Sequence, residues 1–311
     1  MDGADASALG LWGVPLAVLG GAIRISTPFL FVSLGECVTE KSGRVNLGLE
    51  GTLVMGAMSG YGVSYLTGSA WLGVMAASLV GAVFGLLHGW LCGRPRVNDI
   101  AVGIALMLLG VGLAFFLGKP LIQPSAPRLP SLSLGFFSDS PQVRSALEVN
   151  VLFLVGLVLA PALRWALINT RPGMVLRVVG ESAESARAMG YDVQRVRLLA
   201  TVVGGAFAGV GGSFLSLFYP GSWNEGLSSG QGLMAVALVI FARWNPVRCL
   251  YASLLFGGAS ALGPALQSVG VTQGYYLFNA APYALTLLIM VLSSSATETS
   301  ADMPAELTAA R

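Results

Sequence analysis

Charge is scarce in this sequence. Only 10% of its 311 residues are Asp, Glu, Lys or Arg, while 55% are hydrophobic and the mean hydropathy is +0.75. A water-soluble domain carries about 25% charged residues, so a soluble globular fold is excluded. Strict alternation of apolar and polar residues is missing too. The apolar runs are continuous, which argues against a membrane β-barrel. Histidine occurs once, at His88, and cysteine three times, at Cys37, Cys92 and Cys249. None of these has metal-ligand spacing, and the cysteines read as small buried apolar side chains. No Ser/His/Asp set is visible, so enzyme chemistry has no candidate site. A phosphate-binding loop is also lacking. The nearest approach, Gly118-Lys119-Pro120, has no glycine five residues before Gly118 and puts proline where Ser or Thr must hold magnesium. No cleavable signal peptide is evident, because Asp2 and Asp5 stand where a basic segment belongs.

What remains is a polytopic all-α membrane protein. A span needs about 20 apolar residues. Candidate spans fall at 8–23, 25–40, 47–67, 70–93, 97–118, 149–168, 198–219, 229–243, 247–268 and 279–296. The first two divide at Arg24 and Pro28 and are long for one span but short for two, so nine and ten helices are both open. Residues 1–296 read as one transmembrane domain, and 297–311 as a polar tail expected to fray. The longest loop away from the spans, 119–148, holds five prolines and no apolar periodicity, and is predicted to be extended.

Lys and Arg accumulate on the cytoplasmic side of short loops. With the loop at 169–197 placed inside, thirteen of the seventeen basic residues fall inside and four outside. That puts the 119–148 loop in the periplasm. The acidic N-terminus is the discordant feature, and it favours nine helices.

The 169–197 loop carries Arg171, Arg177, Arg187, Arg195 and Arg197 between two apolar spans. Pro172 and Gly173 turn the chain, Glu181 and Glu184 suit a helix N-terminus, and Gly190 suits the position just past its end. Between Gly180 and Gly190, Ala183, Ala186 and Met189 recur at i, i+3 and i+6. The spacing predicts a short helix with a narrow, smooth apolar face, fit to dock on a partner that supplies energy. The plainer reading is a solvated interfacial helix.

Two further segments stand out. Residues 35–51 are polar and glycine-rich between apolar runs. Such a stretch is either a cytoplasmic turn or a break in a membrane helix that lines a pathway. Carboxylates near spans can mark ion coupling, but Glu36 and Glu40 lie beside Lys41 and Arg44, and Asp99 lies near Arg94 and Arg96. Glu50 alone looks deep. The glycines of 204–212 form small-xxx-small rows, which let helices pack backbone to backbone. No strand precedes them, so a nucleotide fingerprint is not indicated.

The segment Glu40-Lys41-Ser42-Gly43-Arg44-Val45-Asn46-Leu47-Gly48-Leu49-Glu50-Gly51 resembles the signature of bacterial ABC importer permeases for nucleosides and simple sugars, in the branched-chain amino acid/ribose permease superfamily. Its Glu-Gly ending is similar to the nucleoside branch. Residues 179–190, followed by the 204–212 glycines, resemble the family's coupling segment, although Ser185-Ala186 replaces its usual Ala-Ala pair and Ala188-Met189 stands where an aromatic residue often precedes the last glycine. The resemblance runs over about 22–290. It implies a type II ABC importer-like fold, a multi-pass place in the bacterial inner membrane, and a second permease subunit, often different in sequence. It also implies separate ATPase subunits that hold ATP and magnesium, and a periplasmic or lipoprotein substrate-binding protein. No nucleic-acid polymer is expected as a partner, and no cofactor in this chain. Gly180, Glu181, Ala183, Glu184, Ala186, Met189 and Gly190 are the expected coupling residues. Asn46, Gly48, Glu50 and Gly51 are the expected wall of the translocation path. Nucleosides are the expected cargo, with simple sugars such as ribose, or a stand-alone secondary transporter, as alternatives.

Overall fold

A computed structural model of the chain describes residues 13–122, 124–136, 141–268, 270, 278, 280–293 and 303–309. The two weakest expected spans are one helix, α1 (Gly13–Lys41), with Pro28 inside it. Neither Arg24 nor Pro28 divides it, because a membrane helix tolerates proline where neighbouring groups satisfy the freed backbone. Residues 8–12 of the first expected span lie outside the described residues.

The chain continues through α2 (Leu49–Thr67), α3 (Ala70–Cys92) and α4 (Asp99–Gly118). The 119–148 loop is not simply extended. It holds a 3₁₀ turn at Lys119–Leu121, a strand β1 (Ser131–Ser133) and a short helix α5 (Pro141–Ala146). Strand β2 (Glu148–Asn150) pairs antiparallel with β1, Ser131 opposite Asn150. Then come α6 (Val151–Asn169), α7 (Arg171–Glu181), α8 (Ala183–Ala188), α9 (Val193–Leu217), α10 (Gln231–Phe241), α11 (Pro246–Ser268), α12 (Ala281–Ser293) and α13 (Glu306–Ala309). Among the described residues, six helices are long and apolar enough to cross a membrane: those of α1, α3, α4, α6, α9 and α11.

Local chemistry explains where the helices begin. Asn98 Oδ1 accepts the Ile100 and Ala101 N–H groups at 2.9 and 3.1 Å, and Asn150 Oδ1 accepts Leu152 N–H at 2.8 Å. Thr170, Ser182 and Asp192 do the same for α7, α8 and α9. Each side chain satisfies backbone donors that the first turn leaves without a partner.

α9 is the central post, packed on α1, α2 and α3. Its glycines serve packing, as their spacing predicted. A Cβ on Gly205 would run into the Gly81 carbonyl of α3. One on Gly209 would meet Ala77, and one on Gly212 would meet Leu53 of α2. On its other side Gly204 faces Gly35 of α1. Contact this close between backbones is how helices associate where lipid removes the hydrophobic drive. Outward faces are apolar and exposed, as at Met75, Leu79, Leu108, Phe116 and Val158. Trp71, Trp90 and Trp165 sit near helix ends, where amphipathic rings favour the interface.

Candidate functional site

The break at 42–48 is real, and it lies inside the bundle. Ser42 and Gly43 N–H close the end of α1 on the Thr39 and Glu40 carbonyls, and Gly43 turns the chain with φ +82°. The chain then folds back along α1, so that Asn46 N–H donates to Glu36 Oε1 at 2.7 Å, more than a helical turn below Lys41. Asn46 Oδ1 accepts Gly48 N–H at 2.9 Å. α2 therefore starts part-way along the bundle.

α10 starts beside it. After α9 the chain returns inward, Trp223 packs over Gly118, and Gly230 adopts φ +85° to begin the helix. No side chain of that segment caps α10. Glu50 does so instead: its carboxylate accepts Gly230 N–H at 3.0 Å, Gly232 N–H at 2.6 Å and the Ser228 hydroxyl. An anion at a helix N-terminus meets both the free donors and the positive end of the helix dipole. The start of one helix thus caps the start of another across 180 residues of sequence.

The expected pathway wall lies at this joint. Asn46, Gly48, Glu50 and Gly51 are all buried within the chain. Gly48 lies against the Gly103 carbonyl, and Gly51 packs on the Met107 backbone and Gly110 of α4. Asn46 Oδ1 and the Glu50 carboxylate meet donors of the chain itself, because a helix break at depth must satisfy its own donors. The expected local ion partners are also revised. Asp99 pairs with Arg44, while Glu40 accepts the Trp244 indole N–H. Sequence reasoning missed Ser228, Gly230, Gly232 and Trp244. The glycine spacing at 226–232 was the available signal, hidden by an apolar run assigned as one span.

The segment expected to couple folds as two helices. α7 carries Glu181 at its end, not at a helix start, and Gly180 packs against the Lys41 carbonyl. Ser182 then opens α8, its Oγ accepting Ser185 N–H at 3.1 Å. Glu184 sits in the first turn as expected. At the far end Gly190 has φ +83°, its N–H donates to the Arg187 carbonyl at 2.9 Å, and Tyr191 N–H donates to that of Ala186 at 3.0 Å. That is the Schellman closure in which glycine is favoured.

The apolar stripe does not point outward as a unit. Ala183 and Ala186 are buried in a small cluster with Val179 and Val193. Their helix lies flat on α7 and α9, so the small side chains become its inner face. Met189, 55% exposed, points out, together with Glu184, Ser185, Arg187 and Tyr191.

The tail is not frayed where it is described. Met303 and Leu307 pack onto the α1/α11 core, and Glu306 Oε1 accepts Ala183 N–H at 2.7 Å. Arg197 bridges to Glu306 Oε2 at 2.9 Å and donates to the Ser42 carbonyl at 3.0 Å. Burial works to raise the Glu306 carboxyl, but the Ala183 N–H and the Arg197 guanidinium outweigh it and hold the pKa below its ordinary value. The start of α8, the turn after α1 and the C-terminal helix thus meet at one point.

Residues 17–294 match the family model described as the permease component of the branched-chain amino acid transport system. The chain belongs to that permease family. It is 34% identical over 82% of its length, and 79% of the relative's, to a candidate glucose ABC transporter permease protein of Haloferax volcanii. It is 29% identical to a guanosine ABC transporter permease protein of Bacillus subtilis, with 88% and 90% covered. A nucleoside ABC transporter permease protein of Lactococcus lactis is 27% identical, with 88% and 91% covered. The permease is thus a multi-pass ABC transporter subunit of the kind its sequence resembled. Its buried signature, 40–51, is the joint between two interrupted helices.

Proposed function

We propose that this permease forms half of the path of an ATP-driven nucleoside importer and is moved by a partner ATPase through the turn at 182–191. The observation that supports coupling most directly is how that turn is held. It is capped by Ser182, closed by Gly190, seated on α9 and tied by Glu306 and Arg197 to the end of α1. A push on exposed Arg187 or Met189 is thereby delivered to α1 and α9, the helices that carry the interrupted pair. ATP and magnesium belong to that partner in this reading. A substrate-binding protein supplies affinity, and a second permease subunit completes the path. The cytoplasmic side is the arginine-rich end.

Of the proposed coupling residues, Glu181, Glu184 and Met189 are exposed and available to touch a partner, whereas Gly180, Ala183 and Ala186 seat the turn and Gly190 closes it. The proposed path residues act one step back. Glu50 and Asn46 hold the starts of α10 and α2 in place, and the wall itself is formed by neighbouring side chains against the second subunit.

The guanosine and nucleoside relatives support a nucleoside cargo. The glucose relative favours a second reading, a simple sugar. The Glu50-Gly51 ending does not separate them, because Glu50 is spent on capping α10. Uptake of radiolabelled uridine and adenosine, compared with glucose and ribose, into vesicles holding the full complex decides the matter. We expect ATP-dependent nucleoside uptake. Glucose or ribose uptake alone would overturn the cargo, and uptake without ATP or ATPase would establish a secondary transporter.

A further inference from the structure

Between α9 and α10 the chain takes a course that no lipid-facing segment can take. α9 ends at Leu217, and Gly221 N–H already turns back to the Leu215 carbonyl at 3.1 Å. Trp223 packs over Gly118, the last residue of α4. Gly230 and Gly232 are held by Glu50, whose neighbour Gly51 packs on Met107 in the middle of α4. From Met107 to Gly118 a helix rises about 16 Å, at 1.5 Å per residue. Residues 222–229 therefore descend from the end opposite α7 and α8 to the middle of the bundle, and none of them is helical.

Within this descent Asn224, Glu225, Gly226 and Ser229 are exposed. Among the described residues, the N–H groups of Asn224, Glu225 and Gly226 meet no acceptor, and the side chains of Asn224 and Glu225 have no hydrogen-bond or ionic partner. Lipid cannot satisfy such groups. Irregular backbone at membrane depth occurs only where it is buried in protein or lines a water-filled cavity. A second subunit seated flush on the segment would bury the unpaired Glu225 carboxylate, at a cost of several kcal/mol. Water is the neighbour that fits.

We propose that residues 224–229 form the wetted wall of the transport path, and that Asn224 and Glu225 bind a pair of adjacent hydroxyls on the cargo's sugar there. This rests on the reading of the chain as half of a transport path and names the part that touches cargo. A carboxylate accepts two O–H groups, and an amide both donates and accepts. That set suits neighbouring hydroxyls, which the ribose of a nucleoside and a free hexose both offer. The foot of the wall is tied to the bundle, because Ser228 and Gly230 are held by Glu50. A shift of α2 against α10 therefore moves the wall.

Cysteine labelling of the complete complex in proteoliposomes tests this, with the buried Cys37, Cys92 and Cys249 left in place. Asn224→Cys and Ser229→Cys should react with a charged, membrane-impermeant methanethiosulfonate. Leu108→Cys and Val158→Cys, on exposed apolar helix faces, should not. Uridine or glucose should slow the reaction at Ser229→Cys, uridine marking a nucleoside site and glucose alone a free-sugar site. A hydrogen bond to a charged group is worth roughly tenfold in affinity. Half-protection should therefore need about ten times more 2′,3′-dideoxyuridine, which lacks both hydroxyls, than uridine, and Glu225→Gln should erase that difference. Unreactive cysteines at 224 and 229 would overturn the wetted wall. Protection by neither sugar, or by uridine and dideoxyuridine alike, would overturn the hydroxyl contact. Absence of ATP-driven uptake by the unaltered complex would overturn the transport reading itself, while the labelling would stand as the test of the wall.

Discussion

Glu50 does at residue scale what neither of its neighbouring segments can do alone. It supplies acceptors to Gly230 and Gly232 N–H at a half-buried helix start. Glu50→Leu leaves both donors without this acceptor, at about 1–3 kcal/mol for the buried Gly232 N–H and less for the part-buried Gly230 N–H. Glu50→Gln keeps one acceptor oxygen and should cost less. Unfolding followed by intrinsic fluorescence in detergent should rank the native chain above Gln and Gln above Leu. A Leu variant as stable as the native chain would show that the cap is not needed. That Glu50 is deep was readable from its place in an apolar run. Its partner was not, since 180 residues separate the two and no local pattern links them. The same limit applies to Asp99, whose nearest cations in sequence are Arg94 and Arg96 but whose partner across the bundle is Arg44. Asn46 shows the opposite case. Its donor and acceptor capacity was plain, but whether it faced a cavity or its own backbone depended on the chain folding back on α1.

Among the elements, the glycine rows of α9 were fully legible, because close helix approach leaves a strict i, i+4 trace in sequence. The segment at 179–190 was legible at its ends and not in its middle. Gly190 and Glu184 stand where expected, yet Ser182 breaks the segment in two and turns Ala183 and Ala186 inward. A stripe of small residues specifies a packed face without saying what packs on it. The tail was the clearest miss: its polar composition reads as solvated, while Glu306 binds Ala183 N–H and Arg197, two contacts that a composition cannot show. This docking has a pH signature. Glu306 has a depressed pKa, so its stabilising contribution is present above the ordinary carboxylate value of 4.5 and is lost as pH falls through the lowered folded value. A nitroxide label at Thr308→Cys should be immobile at neutral pH and grow mobile in acid. Glu306→Gln should make it mobile already at neutral pH. Equal immobility in both chains at all pH values would mean that Leu307 and Met303 alone hold the tail.

Over the whole molecule, scarcity of charge predicted the membrane class, and the basic residues outlined one cationic end. The structure adds that this end is a single connected layer. The turn after α1, the paired helices α7 and α8, the α10–α11 corner and the tail all converge there. Two helices, α2 and α10, start beneath it, the second capped by Glu50 of the first. The account's central claim is that force enters this layer at the exposed part of the 182–191 turn. Its most direct measurement is substrate-stimulated ATP hydrolysis by the complete complex in nanodiscs, with Met189→Glu in this chain. A charge forced into a dry docking surface costs several kcal/mol, while Met189, being exposed in the free chain, contributes little to its fold. The account predicts at least a tenfold loss of stimulation, with the unfolding temperature of the isolated permease unchanged. Full stimulation in Met189→Glu, and again in Arg187→Glu, would contradict it.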